Sequence, residues 1–261
     1  MNKIFVTFLV SLMLASNVNA GTDGENSLSN KSPKQVKDCF EGINRTTFKF
    51  NQVLDNVIFE PVAKGYRKLP SPVRTGTSNV LTNLSSLITI PNNFLQGEFK
   101  TAGINTGRFA VNTTIGILGI FDVADKMGFS EYVKEDYGQT LGTWGVGPGC
   151  YVVLPVLGPS TVRGAIGSFI NVLGGDPYYN ASTHGNNEYL SKSLYMKTKV
   201  VSGVDFRAKN LETIENLEKN SLDFYASVRS LYLQDRQQKI SNSSATIDIM
   251  YEGDWEEVES R

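Results

Sequence analysis

The segment GQTLGTWGVGPGCYVVLPVLGPSTVR, from Gly138 to Arg163, decides how this chain folds. The 26 residues from Tyr137 to Val162 carry no charge, and a membrane-spanning helix needs only about 20 apolar residues. The same stretch contains six glycines and three prolines, which a continuous helix does not tolerate. We therefore expect a broken segment that is buried in protein or enters one leaflet and returns. A glycine-rich loop in a soluble core is the alternative.

Four residues of this glycine-rich segment are candidates for its function: Gly145, Gly147, Tyr151 and Pro155. The glycines allow a bent and closely packed backbone. Tyr151, like Trp144, has an amphipathic ring that suits the level of lipid headgroups. Pro155 interrupts the apolar run YVVLPVL and argues against a central β-strand there.

The first twenty residues have the pattern of a secretory signal peptide. Lys3 supplies the positive charge, residues 4–15 form a short apolar run, and small residues at Val18 and Ala20 mark a cleavage site. A retained membrane anchor is the alternative, but the apolar run is too short for one. We expect cleavage after Ala20. Because Gly21 follows, the lipobox cysteine of a bacterial lipoprotein is missing at this position.

The chain contains two cysteines, Cys39 and Cys150. Export places them outside the reducing cytoplasm, which favours a disulfide between them. Such a bridge would close a loop of about 110 residues and restrict the unfolded chain. Two buried free thiols remain the alternative on sequence alone.

Apolar residues at helical spacing dominate the rest of the chain and predict an all-α fold. A polar leader of residues 21–35 precedes a first helical stripe near Val36, and Pro61 is expected to end or restart this helix. Residues 75–97 are uncharged and predict a helix with one apolar face and one neutral polar face, stopped at Pro91. The polar face suits a membrane interface or a neighbouring helix.

The C-terminal third predicts one long amphipathic helix or two short ones between Leu211 and Tyr232. We expect the folded domain to span residues 36–236. Residues 237–261 end in a stretch with six acidic side chains and are expected to form a solvated, disordered tail.

A further uncharged run, FAVNTTIGILGIF, extends from Phe109 to Phe121 between Arg108 and an aspartate. Its 13 residues are too few to span about 30 Å of hydrocarbon. Gly116 and Gly119 suggest a bend, so a short helical hairpin is expected. An ordinary buried helix with small residues for close packing is the alternative. A leucine at either glycine is expected to fill the bend and leave the fold largely intact.

Charge and motif content argue against several classes of function. The formal net charge is −1, and no basic stripe is present, so we expect no nucleic-acid partner. The single histidine, His184, lacks cysteine or acidic partners at the spacing of a zinc site. A G-x-S-x-G elbow, a Walker loop and a dinucleotide fingerprint are missing. We therefore expect no enzyme activity, no cofactor and no metal.

Ordered blocks of sequence carry a resemblance to a known family. They are EGINRTTFKFN (41–51), PSPVRTGTSNVLTNL (70–84), NNFLQGE (92–98), RFAVNTTIGILGIFDVA (108–124) and the glycine-rich segment, with weaker matches at DFRA (205–208) and LDFYASVRSLYLQDR (222–236). The chain resembles the VacJ/MlaA family, the outer-membrane component of a retrograde phospholipid transport system in Gram-negative bacteria. The resemblance covers residues 38–236.

The resemblance implies a helical, ring-like protein in the inner leaflet of the outer membrane, with a central amphipathic channel for phospholipids. Trimeric porins and a soluble periplasmic lipid carrier are the implied partners. The implied function is the removal of phospholipids mislocalised in the outer leaflet, which maintains lipid asymmetry. The candidate channel and hairpin residues are Phe109, Asn112, Thr113, Gly116, Gly119, Phe121 and Asp122.

Two features depart from the family pattern. Gly21 replaces the acylated cysteine that family members usually carry, so retention would rest on an apolar rim or on a porin. Cys39 and Cys150 fall where the family commonly has proline. Two rival functions stay open: a structural envelope protein that binds porins and moves no lipid, and a lipid-degrading enzyme, for which one histidine is a poor catalytic set.

Overall fold

The computed structural model describes residues 36–184 and 191–241. The predicted signal peptide and polar leader lie outside the described residues. So do the predicted tail beyond Ser241 and the side chain of His184.

The described chain is helical apart from one short β-hairpin, which confirms the all-α class. Its first half comprises α1 (Glu41–Leu54), a π-helical turn (Asp55–Phe59), α2 (Glu60–Arg67), α3 (Ser71–Leu95), α4 (Phe99–Thr114), α5 (Val123–Lys126) and α6 (Tyr137–Thr143). The second half comprises β1 (Tyr151–Leu154), β2 (Gly158–Thr161), α7 (Val162–Ile170), a second π-helical turn (Asn171–Gly175), α8 (Pro177–His184), α9 (Lys192–Lys209), α10 (Leu211–Asn220) and α11 (Phe224–Ser241). The C-terminal pattern is thus two helices, and α11 continues past residue 236, the predicted end of the domain.

Pro61 lies in α2, directly after the π-helical turn. Leu54, Phe59 and Glu60 all have right-handed helical backbone angles, so the expectation that Pro61 ends or restarts the helix is wrong. The N–H of Glu60 bonds to the carbonyl of Asp55, and the wider π-helical turn lets the helix continue into the proline. Helix α2 packs against α9, and α3 packs against α4.

The prediction that α3 stops at Pro91 is wrong, because α3 continues to Leu95 with Pro91 inside it. Proline removes a backbone donor and strains the preceding turn. The missing N–H of Pro91 would have bonded to the carbonyl of Leu87, so α3 continues with one helical hydrogen bond fewer. The side-chain amide of Asn92 donates to the carbonyl of Ile88 at 2.8 Å, in the same turn.

The β-hairpin pairs β1 with β2 in antiparallel register, with Tyr151 opposite Thr161 and Leu154 opposite Gly158. Pro155 lies in the turn between the strands, where no ladder donor is required. The backbone N–H of Tyr151 donates to the carbonyl of Lys37 at 2.9 Å, which attaches the hairpin to the N-terminal segment.

A small aromatic core lies where the hairpin meets α11. Tyr151, Val153 and Tyr225 are buried together, and the rings of Tyr151 and Tyr225 meet edge to face with centroids 6.0 Å apart. Phe48 of α1 packs against this core from the other side. None of the helices in the two described ranges is both long and apolar enough to cross a membrane.

Candidate functional site

The described residues bury polar side chains and expose large apolar ones. Buried amides and hydroxyls of α3 and α4 are Asn83, Ser86, Thr89, Asn92, Asn93, Asn105 and Asn112. Exposed apolar side chains include Phe50, Val57, Leu118, Leu157, Phe169 and Leu173. Proteins that fold in water prefer the opposite arrangement, so this distribution indicates an apolar environment around the molecule.

The apolar stripe of α1 follows this inverted arrangement. Ile43 and Phe50 are 68% and 54% exposed, whereas Asn44 is buried. The side-chain amide of Asn44 donates to the carbonyl of Tyr151 at 3.0 Å and accepts from the N–H of Val153 at 2.9 Å. The polar residue therefore docks α1 on the hairpin, and the apolar residues face outward.

A buried carboxyl group connects α3 to α6. The side-chain amides of Gln96 and Gln139 donate to Oε2 of Glu135 at 2.9 and 2.8 Å. Burial raises the pKa of Glu135 to about 7, although the hydrogen bond from Gln96 acts in the opposite direction. Thr140 donates to Asn92 at 2.6 Å beside this group. The contact between the two helices is thus made by polar groups that satisfy each other.

A partly buried ion pair ties α11 to α6. Arg236 contacts both carboxylate oxygens of Asp136, at 2.6 and 2.9 Å. Burial acts to raise the pKa of Asp136, but the hydrogen bonds and charge of Arg236 outweigh it and lower the pKa. Asp136 also caps α6 by accepting from the N–H of Gln139 at 2.9 Å. Arg236 therefore stabilises the start of the glycine-rich segment.

Residues 115–121, here called the apolar turn, follow the end of α4 at Thr114. The second helix of the predicted hairpin does not form, so that expectation is wrong. Ile117, Leu118 and Gly119 have φ values of 53°, 56° and 89°, which are incompatible with a right-handed helix. The exposed side chains of the turn are Ile115, Ile117, Leu118, Ile120 and Phe121.

The base of the apolar turn is a buried polar cluster. Arg108, which is 5% exposed, places its guanidinium 2.7 Å from Asp122. The side-chain amide of Asn112 donates to Asp122 at 2.9 Å and accepts from the N–H of Ala124 at the same distance. The carbonyl of Asn112 accepts from the N–H of Gly119 at 2.8 Å. These bonds fix where the turn leaves α4.

Both glycines of the turn are closely packed, Gly119 against α3 and Gly116 against the end of α4. A Cβ on Gly119 would lie 2.6 Å from the Cβ of Asn83, and a Cβ on Gly116 would lie 2.5 Å from the carbonyl oxygen of Asn112. The expectation that a leucine at either glycine leaves the fold intact is therefore wrong, because neither site has room for a methyl group. Asn83 donates to Thr113 at 2.9 Å on the same side.

An open groove of about 460 Å³ lies between α3 and α9 beside the apolar turn. Val80 and Leu84 of α3, Val201 of α9 and Ile120 of the turn contribute apolar walls. Lys197 supplies a cation at the same groove. The side-chain amide of Asn79 donates to the carbonyl of Ile120 at 3.0 Å, which attaches the turn to α3 at this edge.

The structure divides the glycine-rich segment among α6, a loop, the hairpin and the start of α7. Gly145 and Gly147 lie in the loop, where an added Cβ would meet no atom within 4 Å. Tyr151 has no exposed surface, so its expected place at the headgroup level is wrong, whereas Trp144 is 57% exposed. Tyr151 is buried because it points to the inner face of β1.

The predicted site residues fall into two groups. Asn112, Thr113, Gly116, Gly119, Phe121 and Asp122 meet at the apolar turn, and Phe109 lies half-buried on α4 before it. Gly145, Gly147, Tyr151 and Pro155 belong to the loop and hairpin of the glycine-rich segment. The residues of one continuous sequence block therefore serve different parts of the molecule.

Cys39 and Cys150 are joined by a disulfide, with their Cα atoms 5.6 Å apart. The bond connects segments 111 residues apart in sequence, just before α1 and just before β1. It lies beside the backbone bond from Tyr151 to Lys37. The start of the described chain is therefore fastened to the hairpin at two adjacent points.

Sequence reasoning missed the polar residues that hold the turn, chiefly Arg108, Asn79 and Asn83. One signal was present, because Arg108 and Asp122 bracket an uncharged run with opposite charges. Opposite charges at the two ends are expected when the run reverses direction and brings its ends together. Across the two ranges that the structure covers, no group of three or more His, Cys, Asp or Glu side chains is placed to hold a metal ion.

Comparison with known proteins extends this picture. The family model described as MlaA lipoprotein matches residues 36–239. The intermembrane phospholipid transport system lipoprotein MlaA of Haemophilus influenzae is 32% identical over 223 residues, which cover 82% of this chain and 84% of the relative. The protein of the same name from Escherichia coli K12 is 34% identical over 209 residues, 78% of either chain.

A solved structure of similar fold supports the same family. It is described as the structural basis for maintenance of bacterial outer membrane lipid asymmetry, and it is 35% identical to this chain with a TM-score of 0.67. The match covers 78% of this chain and 99% of the solved one. On sequence and on fold, this chain belongs to the MlaA lipoprotein family.

Proposed function

We propose that this chain transports phospholipids and is not an enzyme. It removes phospholipids mislocalised in the outer leaflet of the outer membrane and passes them to a soluble periplasmic carrier, which maintains lipid asymmetry. The observation that carries the proposal is the inverted arrangement, with a polar interior, an apolar exterior and an open groove beside the apolar turn. The names of the Haemophilus and Escherichia relatives agree with it.

The groove has the chemistry that a phospholipid requires. Exposing the tails of a two-chain lipid, about 30 CH₂ groups, to water costs on the order of 20 kcal/mol at about 0.8 kcal/mol per group. The apolar walls at Val80, Leu84 and Val201 shield acyl chains, and Lys197 offers a cation to the phosphate. No bond of the lipid needs to be made or broken in such a path.

The proposed location is the inner leaflet of the outer membrane, after export by a cleavable signal peptide. The proposed overall shape is a ring with a central amphipathic channel, to which the groove belongs. Trimeric porins and the soluble carrier are the proposed partners. Because Cys39 and Cys150 form the disulfide, neither thiol is available to carry an acyl chain. We therefore propose that the apolar exterior retains the protein in the membrane.

A matched pair of variants tests the transport function. Val201 lines the groove, whereas its neighbour Val200 is exposed and does not. In a strain that lacks the native protein, Val201→Trp narrows the groove and is expected to leave outer-leaflet phospholipid high, while Val200→Trp restores the wild-type level. Equal restoration by both variants, with equal amounts of folded protein, contradicts the role of the groove.

The same strains separate the rival functions. A structural envelope protein would be needed for porin association but not for lipid distribution, so its loss would leave outer-leaflet phospholipid unchanged. A lipid-degrading enzyme would release fatty acid or lysophospholipid, which mass spectrometry of purified protein with phospholipid vesicles detects. We expect redistribution of intact lipid and no cleavage product.

A further inference from the structure

The turn of the β-hairpin exposes an apolar tip, formed by Pro155, Val156 and Leu157 and here called the hairpin tip. Val156 is 55% exposed and Leu157 is 75% exposed. Val156 also has a φ of 67°, in the left-handed region. The tip thus combines exposed apolar side chains with an uncommon backbone conformation.

Both features are unfavourable in water. A β-branched residue at positive φ is a genuine outlier, and turns that need this conformation usually contain Gly, Asn or Asp. Such residues would also remove the exposed apolar surface. A valine at this position therefore keeps an exposed apolar side chain at the tip in spite of its backbone strain, as expected where that side chain gains an apolar contact outside the chain.

A side chain of α1 bonds to the backbone on either side of Pro155. The amide nitrogen of Asn51 donates to the carbonyl of Leu154 at 2.9 Å, and its carbonyl oxygen accepts from the N–H of Val156 at 2.7 Å. Water can satisfy the polar groups of an exposed turn, but hydrocarbon cannot, so a turn in lipid must find partners within the protein. The carboxamide of Asn51 provides such partners for the carbonyl of Leu154 and the N–H of Val156.

The surroundings of the tip favour lipid over a charged or polar partner. No charged residue occurs between Tyr137 and Val162, which includes the whole hairpin. Of the neighbours of Asn51 along α1, Phe50 and Val53 are exposed apolar residues, and Lys49 is an exposed cation. The hairpin itself offers no charge to a polar partner, which matches acyl chains.

We infer that the hairpin tip is inserted among the acyl chains of the leaflet and serves as an anchoring point of the protein. The inference rests on the proposed residence in the membrane and adds which surface makes the insertion. It also supplies an attachment for a chain whose two cysteines are both committed to a disulfide.

A depth measurement tests the inference directly. The variants Leu157→Trp and Leu222→Trp are reconstituted into vesicles of phosphatidylethanolamine and phosphatidylglycerol with bromine atoms on the acyl chains. Leu222 is the matched control because it is fully exposed between Lys219 and Asp223. The extra emission of Leu157→Trp over wild-type protein is expected to be quenched by bromine, and that of Leu222→Trp is not.

A second pair of variants measures the contribution to binding. Leu157→Glu is expected to lower the partition of the protein into unbrominated vesicles by roughly tenfold or more, because a buried leucine contact is lost and a charge is introduced. Leu222→Glu leaves the partition unchanged. Circular dichroism and alkylation of thiols establish that both variants are folded and that their disulfide is intact.

The outcomes separate the two levels of the proposal. Wild-type protein that binds vesicles while the tryptophan at position 157 stays unquenched overturns the insertion of the tip and leaves the proposed function in place. The insertion is also overturned if the tryptophan at position 157 is unquenched and a protein partner covers the tip in cells. Wild-type protein that does not bind vesicles at all overturns the proposed function together with the tip.

Discussion

The guanidinium of Arg108 lies 2.7 Å from the carboxylate of Asp122, so the second half of α4 is bonded directly to the residue that caps α5. Between these two residues the chain completes α4 and makes the whole apolar turn. The arginine of this pair is buried, with only 7% of its side chain exposed. The ends of the turn are therefore held rigidly, and its exposed apolar side chains are presented from a fixed base.

Removal of the Asp122 carboxylate tests how much the Arg108–Asp122 pair contributes to stability. Asp122→Ala leaves the buried Arg108 without its carboxylate and takes away a bond from Asn112, so we expect a loss of about 2–3 kcal/mol in the free energy of unfolding. The measurement is urea unfolding in detergent micelles. Asp125→Ala, three residues on at an exposed position, serves as control and should change stability by less than about 0.5 kcal/mol. Equal losses in both variants would contradict the role of the pair.

Two glycines on α4 and its turn are expected to respond in opposite directions to alanine. Gly116→Ala forces a Cβ against the carbonyl oxygens of Asn112 and Phe121 and should destabilise the protein by about 1–3 kcal/mol. Gly103→Ala, inside α4 with no atom near the added Cβ, should stabilise it by about 0.5–1 kcal/mol. Thermal unfolding of the two variants checks the difference, and the same sign for both would refute it.

Loss of the disulfide is expected to destabilise the whole fold. The bond closes a loop of 111 residues, so its removal should cost about 2–5 kcal/mol through the greater freedom of the unfolded chain. Urea unfolding of wild-type protein with and without reductant measures the effect. The variant Cys39→Ala/Cys150→Ala should match the reduced wild-type protein and should not respond to reductant. Unchanged stability on reduction would show that the bond is absent or energetically neutral.

The buried carboxyl of Glu135 predicts a pH dependence of stability. Its pKa rises from 4.5 to about 7 on folding because burial disfavours the ionised form. The folded state therefore binds more protons than the unfolded state between these values, and stability falls as pH rises from about 4.5 to 7. Above pH 7 the group is ionised in both states, and the penalty reaches about 3 kcal/mol.

Glu135→Gln isolates this contribution. The glutamine keeps an oxygen that accepts from Gln96 and Gln139 but does not titrate. The free energy of unfolding of the variant should change less with pH than that of wild-type protein, and the difference between them should be largest above pH 7. Parallel stability curves from pH 5 to 8 would assign the pH dependence to other groups.

The helical class and the family could be predicted from sequence because each depends on local pattern. Helical spacing of apolar residues acts within a few residues. The family blocks are contiguous stretches of the same kind. Pro61 and Pro91 show where local rules fail, since the helix continues through both prolines.

The direction in which each face points was not predictable from periodicity. A stripe of apolar residues such as Ile43 and Phe50 indicates two unlike faces, but the same pattern fits either orientation. In the structure, the apolar faces of α1 and α3 point outward and their polar faces point inward. Which orientation prevails depends on the solvent around the folded chain, and a single helix does not contain that information.

The sequence by itself determined a charge-free, glycine-rich segment that cannot form a continuous apolar span, two cysteines, and helices on either side of the segment. Only the tertiary structure decided that Cys39 meets Cys150, that Arg108 meets Asp122, and that Asn51 bonds to the backbone of the hairpin tip. The physical reason is that composition and periodicity act over a few residues, whereas these contacts join segments brought together only when the helices pack.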